Sequence, residues 1–529
     1  MYVPLTPIRC LHRAVDVFGS NVGLRCGERE FTYAEFGERC ERLGDALRRH
    51  GVAPGDRVAY LSFNTHKLLE GYFGVLHAGA IAMPLNVRLS PGELINILNH
   101  SGARVLLFEN DFAPLAAALR ESCSALCRVV ALDQKSPEAD LTYDELLDAG
   151  VAGRFDITTV DESSPAEVFY TSGSTGAPKG VTLSHRTLYV HALSVATIFE
   201  RAESMVDLHT IPLFHANGWG RPQASTMMGI KQVMVRRFDP TLVLELIEKH
   251  RATDMCLVPT MANALLHSPD LARRDLSSLR CVMIGGAAAS PELVARLEHA
   301  LHCDVFCGYG LTETSPVLTT SRRKPGLVCK DDADRHRRCS AAGWPVPGVE
   351  VRVVDPEMRD VPRDMRTIGE IVAAGDHVMD GYFREPEATA AVMSGRWFHT
   401  GDMAVWDEES FIYIVDRKKE IIISGGENIS SLEVEKAIFA HPEVFECAVV
   451  AAPDDRWGEV PAAIVVRKPG STLDAERLLS FLADRLGKFK LPRIIEFQDE
   501  GLPKTGTGKI RKLALREKYW MDKEKRVQG

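Results

Sequence analysis

Apolar residues recur along this chain with two alternating periods. After Thr32-Tyr-Ala-Glu35, which has the form of a capping box, Phe36, Cys40, Leu43 and Leu47 fall on one face, and Gly51 closes the pattern. That spacing predicts a helix. Residues 57–61 then make an apolar run of strand length, 66–77 a helix and 105–108 another strand. The alternation continues with a helix around 112–120, strands at 129–132 and 168–170, a helix from Leu183, and strands at 255–258, 281–284 and 305–307. Strands separated by helices predict an α/β layered architecture with largely parallel sheets.

The texture changes twice. Past Gly348, short strands at 350–354 and 368–373 alternate with Gly/Asp turns, which predicts a β-rich subdomain over about 343–416. From about Glu420 the pattern becomes a helix at 431–439, strands at 445–451 and 462–466, a helix at 473–486 and a strand at 493–497, followed by a basic tail over 504–526. This predicts a large N-terminal domain, 1–416, and a small α+β C-terminal domain, 417–529, with a hinge near 416–420. Residues 322–338, which include Lys330-Asp-Asp-Ala-Asp-Arg-His-Arg-Arg338, read as a mobile exposed loop.

Composition narrows the class. At 529 residues the chain exceeds one core and requires at least two domains. With 45% hydrophobic and 26% charged residues it is a packed protein, and a net charge of −9 argues against a dedicated nucleic-acid binder. Its 12 cysteines include no Cys-x-x-Cys pair. The first twenty residues mix Arg9, Arg13 and Asp16 into their apolar positions, unlike a secretory signal, so reduced thiols in a cytoplasmic protein are expected. No apolar stretch is long enough for a transmembrane helix.

The chemistry concentrates in Tyr170-Thr-Ser-Gly-Ser-Thr-Gly-Ala-Pro-Lys-Gly180, which follows the apolar run Val168-Phe169. Glycines let main-chain N–H groups close on phosphate oxygens, hydroxyls add donors, and a lysine neutralises charge. A merely flexible surface loop would need neither Pro178 nor Lys179. The run does not fit the Walker template, which places Lys-Ser/Thr directly after its second glycine. It resembles the phosphate loop of the adenylate-forming superfamily, the acyl-CoA synthetases, luciferases and peptide-synthetase adenylation domains. Further motifs follow in that family's order, so the resemblance spans nearly the whole chain.

The resemblance implies a role for each motif. Thr171, Ser172, Gly173, Ser174, Thr175, Gly176 and Lys179 would bind the phosphates of ATP. His215 and Trp219, in Pro212-Leu-Phe-His-Ala-Asn-Gly-Trp-Gly220, would border the acyl pocket, although a histidine among apolar residues is more often a satisfied core residue. Gly285, Gly286, Ala287 and Ala288 would form a flat floor for adenine and the acyl chain, a reading compatible with tight strand–helix packing. In Gly308-Tyr-Gly-Leu-Thr-Glu-Thr-Ser315, Tyr309 would stack on adenine, Thr312 contact phosphate and Glu313 hold Mg²⁺, with Gly308 and Gly310 beside the nucleotide and the acyl group. Asp402, in Trp397-Phe-His-Thr-Gly-Asp402, would accept from both ribose hydroxyls, and Arg417 would contact ribose or phosphate. Lys419 would be the pivot of the last domain; many relatives have aspartate there. Gly425 and Gly426 would line a tunnel for the pantetheine thiol. Lys509, in Leu502-Pro-Lys-Thr-Gly-Thr-Gly-Lys509, would reach the acyl carboxylate and α-phosphate during adenylation.

The implied function is an acid–thiol ligase. It would activate a carboxylic acid, a short- to medium- or long-chain fatty acid, to acyl-AMP with ATP and Mg²⁺ and then pass the acyl group to coenzyme A. An aryl acid of the cinnamate or benzoate type is the alternative substrate. A luciferase shares the first step, and a peptide-synthetase module, which would be expected to carry a carrier domain after the basic tail, is the less expected reading. A non-catalytic nucleotide-binding regulator on the same fold would be expected to lack Lys509, Glu313 or the Gly425-Gly426 pair. Homodimers are common in the family, and no stripe of this sequence decides that point.

Overall fold

A computed structural model of the chain describes residues 3–171, 178–199, 202, 204–418, 420–424, 427–454, 456–483, 485–504 and 510–520. The chain divides into two compact units, Met1–Val351 with Ala373–Phe398, and Arg352–Val372 with His399–Gly529.

In the first unit the described residues form a sheet of nine strands and another of eight. At the heart of the nine-stranded sheet, Lys231–Met234, Val206–His209, Asp254–Leu257, Cys281–Ile284 and Asp304–Gly310 lie side by side and parallel, and Val317–Thr320 returns antiparallel. In the other sheet Ile81–Pro84, Arg57–Leu61, Val105–Phe108 and Arg128–Ala131 run parallel. Strands covered on both faces read as unbroken apolar runs, and Val105–Phe108 is buried at every position. The intervening helices start where hydroxyl caps stop the strands. Thr32, Ser90 and Thr142 each close a capping box with a glutamate three residues on.

Two expectations are corrected. The helix expected from Leu183 begins at His185, because Lys179–Ser184 is a strand antiparallel to Pro165–Thr171 and Ser184 caps the helix His185–Ile198. Residues 322–338 are not one exposed loop. Asp331 caps a helix, Asp332–Cys339, whose Arg335 and His336 both reach Glu298 on the helix Pro291–Leu301.

The second unit contains a hairpin and a small sheet. Trp397–Trp406 pairs antiparallel with Ile412–Arg417. Glu427–Ile429, Ile422–Ser424, Gly458–Arg467 and Val444–Asp454 then form an antiparallel ladder, and Ile494–Gln498 adds in parallel to Gly458–Arg467. Helices Ser431–Phe439 and Ala475–Ala483 cover one face, burying Val434, Ile438, Leu478 and Leu482 against Val449 and Val465.

Candidate active site

The strands Pro165–Thr171 and Lys179–Ser184 are the two stems of the glycine-rich loop. Thr171 and Lys179 are direct partners in their register. Ser172 to Gly176, the centre of that loop, lie outside the described residues, as do Lys419, Gly425, Gly426 and Lys509.

Around the stems the first unit gathers charge. The Lys179 ammonium lies over the Tyr382 ring, 4.8 Å from its centroid. The Tyr382 hydroxyl donates to Oε1 of Glu313 at 3.0 Å. Burial and then the adjacent carboxylate keep that phenol protonated well above its ordinary range. The Glu313 backbone is fixed as well, since its carbonyl accepts from Met379 N at 2.8 Å. A cation, an aromatic hydroxyl and a carboxylate from three separate segments thus converge beside the loop.

The segment carrying Glu313 is shaped by Gly310. A Cβ there would lie 1.6 Å from the Pro316 carbonyl oxygen, so no side chain fits. Tyr309 pairs with Thr319 across the strand Asp304–Gly310, and Thr312 is buried at the start of the short helix Thr312–Thr314.

The wall near Gly285 comes from an unusual turn. Ala216, Asn217, Gly218, Trp219 and Gly220 all have left-handed backbone, with φ of 45°, 44°, 59°, 62° and 72°. Each non-glycine residue there costs roughly 1–2 kcal/mol, so the surroundings must hold the turn. They do so through Asn217, whose Oδ1 accepts from Gly220 N at 2.6 Å and whose Nδ2 donates to Ser315 O at 3.3 Å. The helix Arg221–Met228 that follows is tied down by Arg221, a buried guanidinium bonded to both Asp207 and Asp254. The result places the Trp219 indole against Gly285, where a Cβ would come within 2.9 Å of the ring and 3.0 Å of Gly308 O. His215 is half-buried at the mouth of the turn, while Gly286, Ala287 and Ala288 are exposed.

In the second unit Asp402 and Arg417 are partners in the hairpin register, with Nε of Arg417 2.7 Å from Oδ1 of Asp402. Asp402 is buried and its N–H donates to the Thr400 hydroxyl. Glu370 braces the same turn, accepting from Gly401 N, His399 and Lys418.

A family model described as AMP-binding enzyme matches residues 11–383, and one described as AMP-binding enzyme C-terminal domain matches residues 433–509. The chain belongs to the AMP-binding enzymes. It is similar to a long-chain-fatty-acid–CoA ligase of Thermus thermophilus, 40% identical over 96% of this chain and 94% of that protein. It is also similar to a feruloyl-CoA synthase of Amycolatopsis, 40% identical over 94% of this chain and 95% of that protein. Among solved structures, ATP-bound MatB from Rhodopseudomonas palustris superimposes with a TM-score of 0.86 at 28% identity, covering 98% of this chain and 99% of that one. Within the AMP-binding enzymes the chain falls among the AMP-forming CoA ligases, and its α/β class with a large and a smaller domain agrees with that placement. Among the described residues no helix is long and apolar enough to cross a membrane.

Several side chains that hold this AMP-binding enzyme's site together escaped the sequence reading. Tyr382, Glu370, Glu167 and Gln223 belong to no motif quoted above. Gly381-Tyr382, directly after Asp380, was the one local signal, a glycine-aromatic pair resembling a strand start.

Proposed function

We propose that this chain is an ATP-dependent acyl-CoA synthetase that activates a carboxylic acid with an apolar body. The observation that carries the reading is the convergence of Lys179, Tyr382 and Glu313 beside the paired stems Thr171 and Lys179 of a glycine-rich loop. Ser172, Gly173, Ser174, Thr175 and Gly176 would wrap the triphosphate with backbone N–H groups and hydroxyls. Glu313 suits a magnesium ion, being a hard oxygen donor oriented by a phenol, and that ion would neutralise phosphate charge when bound. Tyr309 would stack on adenine above Gly286, Ala287 and Ala288, and Asp402 would hold the ribose hydroxyls with Arg417 alongside.

The acid would lie against Trp219 and Gly285, with His215 at the entrance. No protein nucleophile is needed for its attack on the α-phosphate; the chain supplies alignment and positive charge, from Lys179 and, in this reading, Lys509. Residues 417–529 would then turn about Lys419, withdraw Lys509 and admit coenzyme A past Gly425 and Gly426. The long-chain fatty acid of one relative's name supports an aliphatic substrate. The equal identity to a feruloyl-CoA synthase supports the aryl alternative.

Acid-dependent exchange of labelled pyrophosphate into ATP, measured over a panel of fatty acids of graded length and of cinnamates and benzoates, tests the first half-reaction. Acyl-CoA formation tests the second. Exchange with the acids but no thioester would remove coenzyme A from the reading, and no exchange with any acid would remove the synthetase assignment.

A further inference from the structure

Glu167 lies wholly inside the first unit, four residues before Thr171 on the strand that leads into the glycine-rich loop. No motif needs an acid there. Its neighbours across the sheet are apolar, Leu183 on one side and Ala82 on the other. From the helix His66–His77 the ionisable group that feels it is the Tyr72 phenol, itself bonded to Leu213 O. From the helix Arg221–Met228 the charged group is Arg221, whose guanidinium is committed to Asp207 and Asp254. On the helix His185–Ile198, which also packs on this strand, burial keeps His185 and His191 neutral and Arg186 is committed to Glu162 and Asp376, so among the described residues Glu167 has no counter-ion.

Its partner is an amide. Gln223 Nε2 donates to Glu167 Oε1 at 3.0 Å, and the Asn217 amide lies near enough to favour the charged form of the same carboxyl. Gln223 and Asn217 are as buried as Glu167. Two atoms of this group are left over, since Glu167 Oε2 and Gln223 Oε1 are buried and neither has a hydrogen-bond partner among the described residues. Both are acceptors if Glu167 is ionised, so each would be an orphaned polar atom in an apolar interior. A single proton resolves both, because a protonated carboxyl and a carboxamide close a ring of two hydrogen bonds.

We propose that Glu167 is a neutral carboxylic acid whose Oε2 proton is donated to Gln223 Oε1, and that this ring, with Asn217, is the positioning element for the left-handed turn that carries Trp219. Asn217 is the second residue of that turn, and Gln223 is the third residue of the helix that leaves it. Through Gln223 the acid ties the strand into the glycine-rich loop to the helix that leaves the turn, and beside it Asn217 Nδ2 ties the turn to Ser315 O in the segment with Glu313. Burial raises this carboxyl to about 8, which is consistent with a proton kept at neutral pH. Glu167 touches no substrate in this arrangement; it acts through Trp219. The consequence for acid recognition rests on Trp219 as a wall of the acyl site.

The full-length protein provides two readouts. In infrared spectra, wild type minus Glu167→Gln is expected to show a protonated carboxylic-acid carbonyl band at pH 7 that disappears as pH passes about 8. Glu167→Gln preserves the ring as an amide–amide pair, so its relative KM values across the acid panel should stay within about twofold of wild type. Glu167→Leu and, independently, Gln223→Met break the ring and should raise KM for the acid by about 10-fold, with KM for ATP little changed. Gln223→Met leaves the loop-bearing strand intact, so it serves if Glu167→Leu does not fold. No carboxylic-acid band at neutral pH overturns the neutral acid. Glu167→Gln behaving like Glu167→Leu, or Gln223→Met leaving the KM for the acid unchanged, overturns the positioning role. Failure of the underlying ligase reading looks different: wild type itself would then show no acid-dependent exchange, whatever its infrared spectrum.

Discussion

The Nε of Arg417 lies 2.7 Å from Oδ1 of Asp402, and the two residues face each other in the hairpin register of the second unit. Arg417 is about half exposed while Asp402 is buried, with side-chain exposures of 48% and 4%. An ion pair with one partner in water is worth about 0–1 kcal/mol, too little to explain a buried acid at this position by stability alone. Arg417→Ala should therefore lower the melting temperature only slightly yet raise KM for ATP by about 10-fold, as expected when a charge-assisted ligand bond is lost. Differential scanning calorimetry together with ATP-dependence kinetics decides. A large thermal loss with unchanged KM would make the pair purely structural.

Tyr382 offers a second test. Its hydroxyl is the visible partner that orients Glu313. Outer hydrogen bonds of this kind change metal affinity by about 10–100-fold when removed. Tyr382→Phe keeps the ring beneath Lys179 and removes only the hydroxyl. The Mg²⁺ concentration for half-maximal pyrophosphate exchange should rise about 10-fold, with maximal exchange at saturating Mg²⁺ much less affected. Unchanged magnesium dependence would take Glu313 out of the metal's reach.

These partnerships explain what the sequence does and does not disclose. Residues 57–61, 66–77, 281–284 and 431–439 were legible to the residue, because each is an apolar run or a periodic stripe between clear stop signals. The helix expected at Leu183 was displaced because Val181-Thr-Leu183 is apolar enough to extend either element, and what decides is pairing with Pro165–Thr171. The charged stretch 322–338 conceals a helix because composition hides the Asp331 cap and the Arg337–Asp334 pair, whose strength lies in spacing. Thr171, Lys179 and Glu313 could be named because their motifs are linear. Tyr382 and Glu313 are 69 positions apart, and Glu167 and Gln223 are 56 apart, so no window of sequence contains either pair.

Asp380, two residues before Tyr382, gives a prediction in pH. Although the residue as a whole is exposed, partial desolvation of its carboxyl raises it from 3.8 to about 6. Between those values the native state keeps a proton that the unfolded chain has released. Stability therefore falls as pH rises through that window and is level above it. Asp380→Asn keeps the side chain's shape and removes its charge. It should match wild type below pH 4 and exceed it by about 1–2 kcal/mol above pH 6, the smaller figure reflecting partial solvent screening. Melting temperatures across pH 4–8 check this, and a constant difference across the range would refute it.

Lys512 joins parts of the second unit that lie far apart in sequence. Its ammonium is 2.8 Å from Glu435, 3.2 Å from Glu420 and 2.7 Å from the Ser431 hydroxyl. These carboxylates, with Asp416 nearby, keep the lysine charged well above its ordinary range. Asp416 in turn accepts from Leu432 N at the start of the helix Ser431–Phe439. Lys512 thus fastens the helix Lys512–Trp520 to the segment following Arg417 and to Ser431–Phe439. Replacing it with methionine leaves the largely covered Glu435, its side chain 14% exposed, without its cation, at a cost of about 2–3 kcal/mol. Adding Glu435→Gln removes the stranded charge while Val449 N keeps its acceptor. The double variant Lys512→Met/Glu435→Gln should recover most of the stability lost by Lys512→Met, a coupling above about 1 kcal/mol in a double-mutant cycle. If Lys509 acts as proposed, the rescued double variant should still be slow in pyrophosphate exchange and near normal in thiolation of supplied acyl-adenylate, because the chain beside residue 509 has lost its tie to Glu420. Equal loss in both half-reactions would detach Lys512 from the delivery of that lysine and leave it a stabilising ion pair.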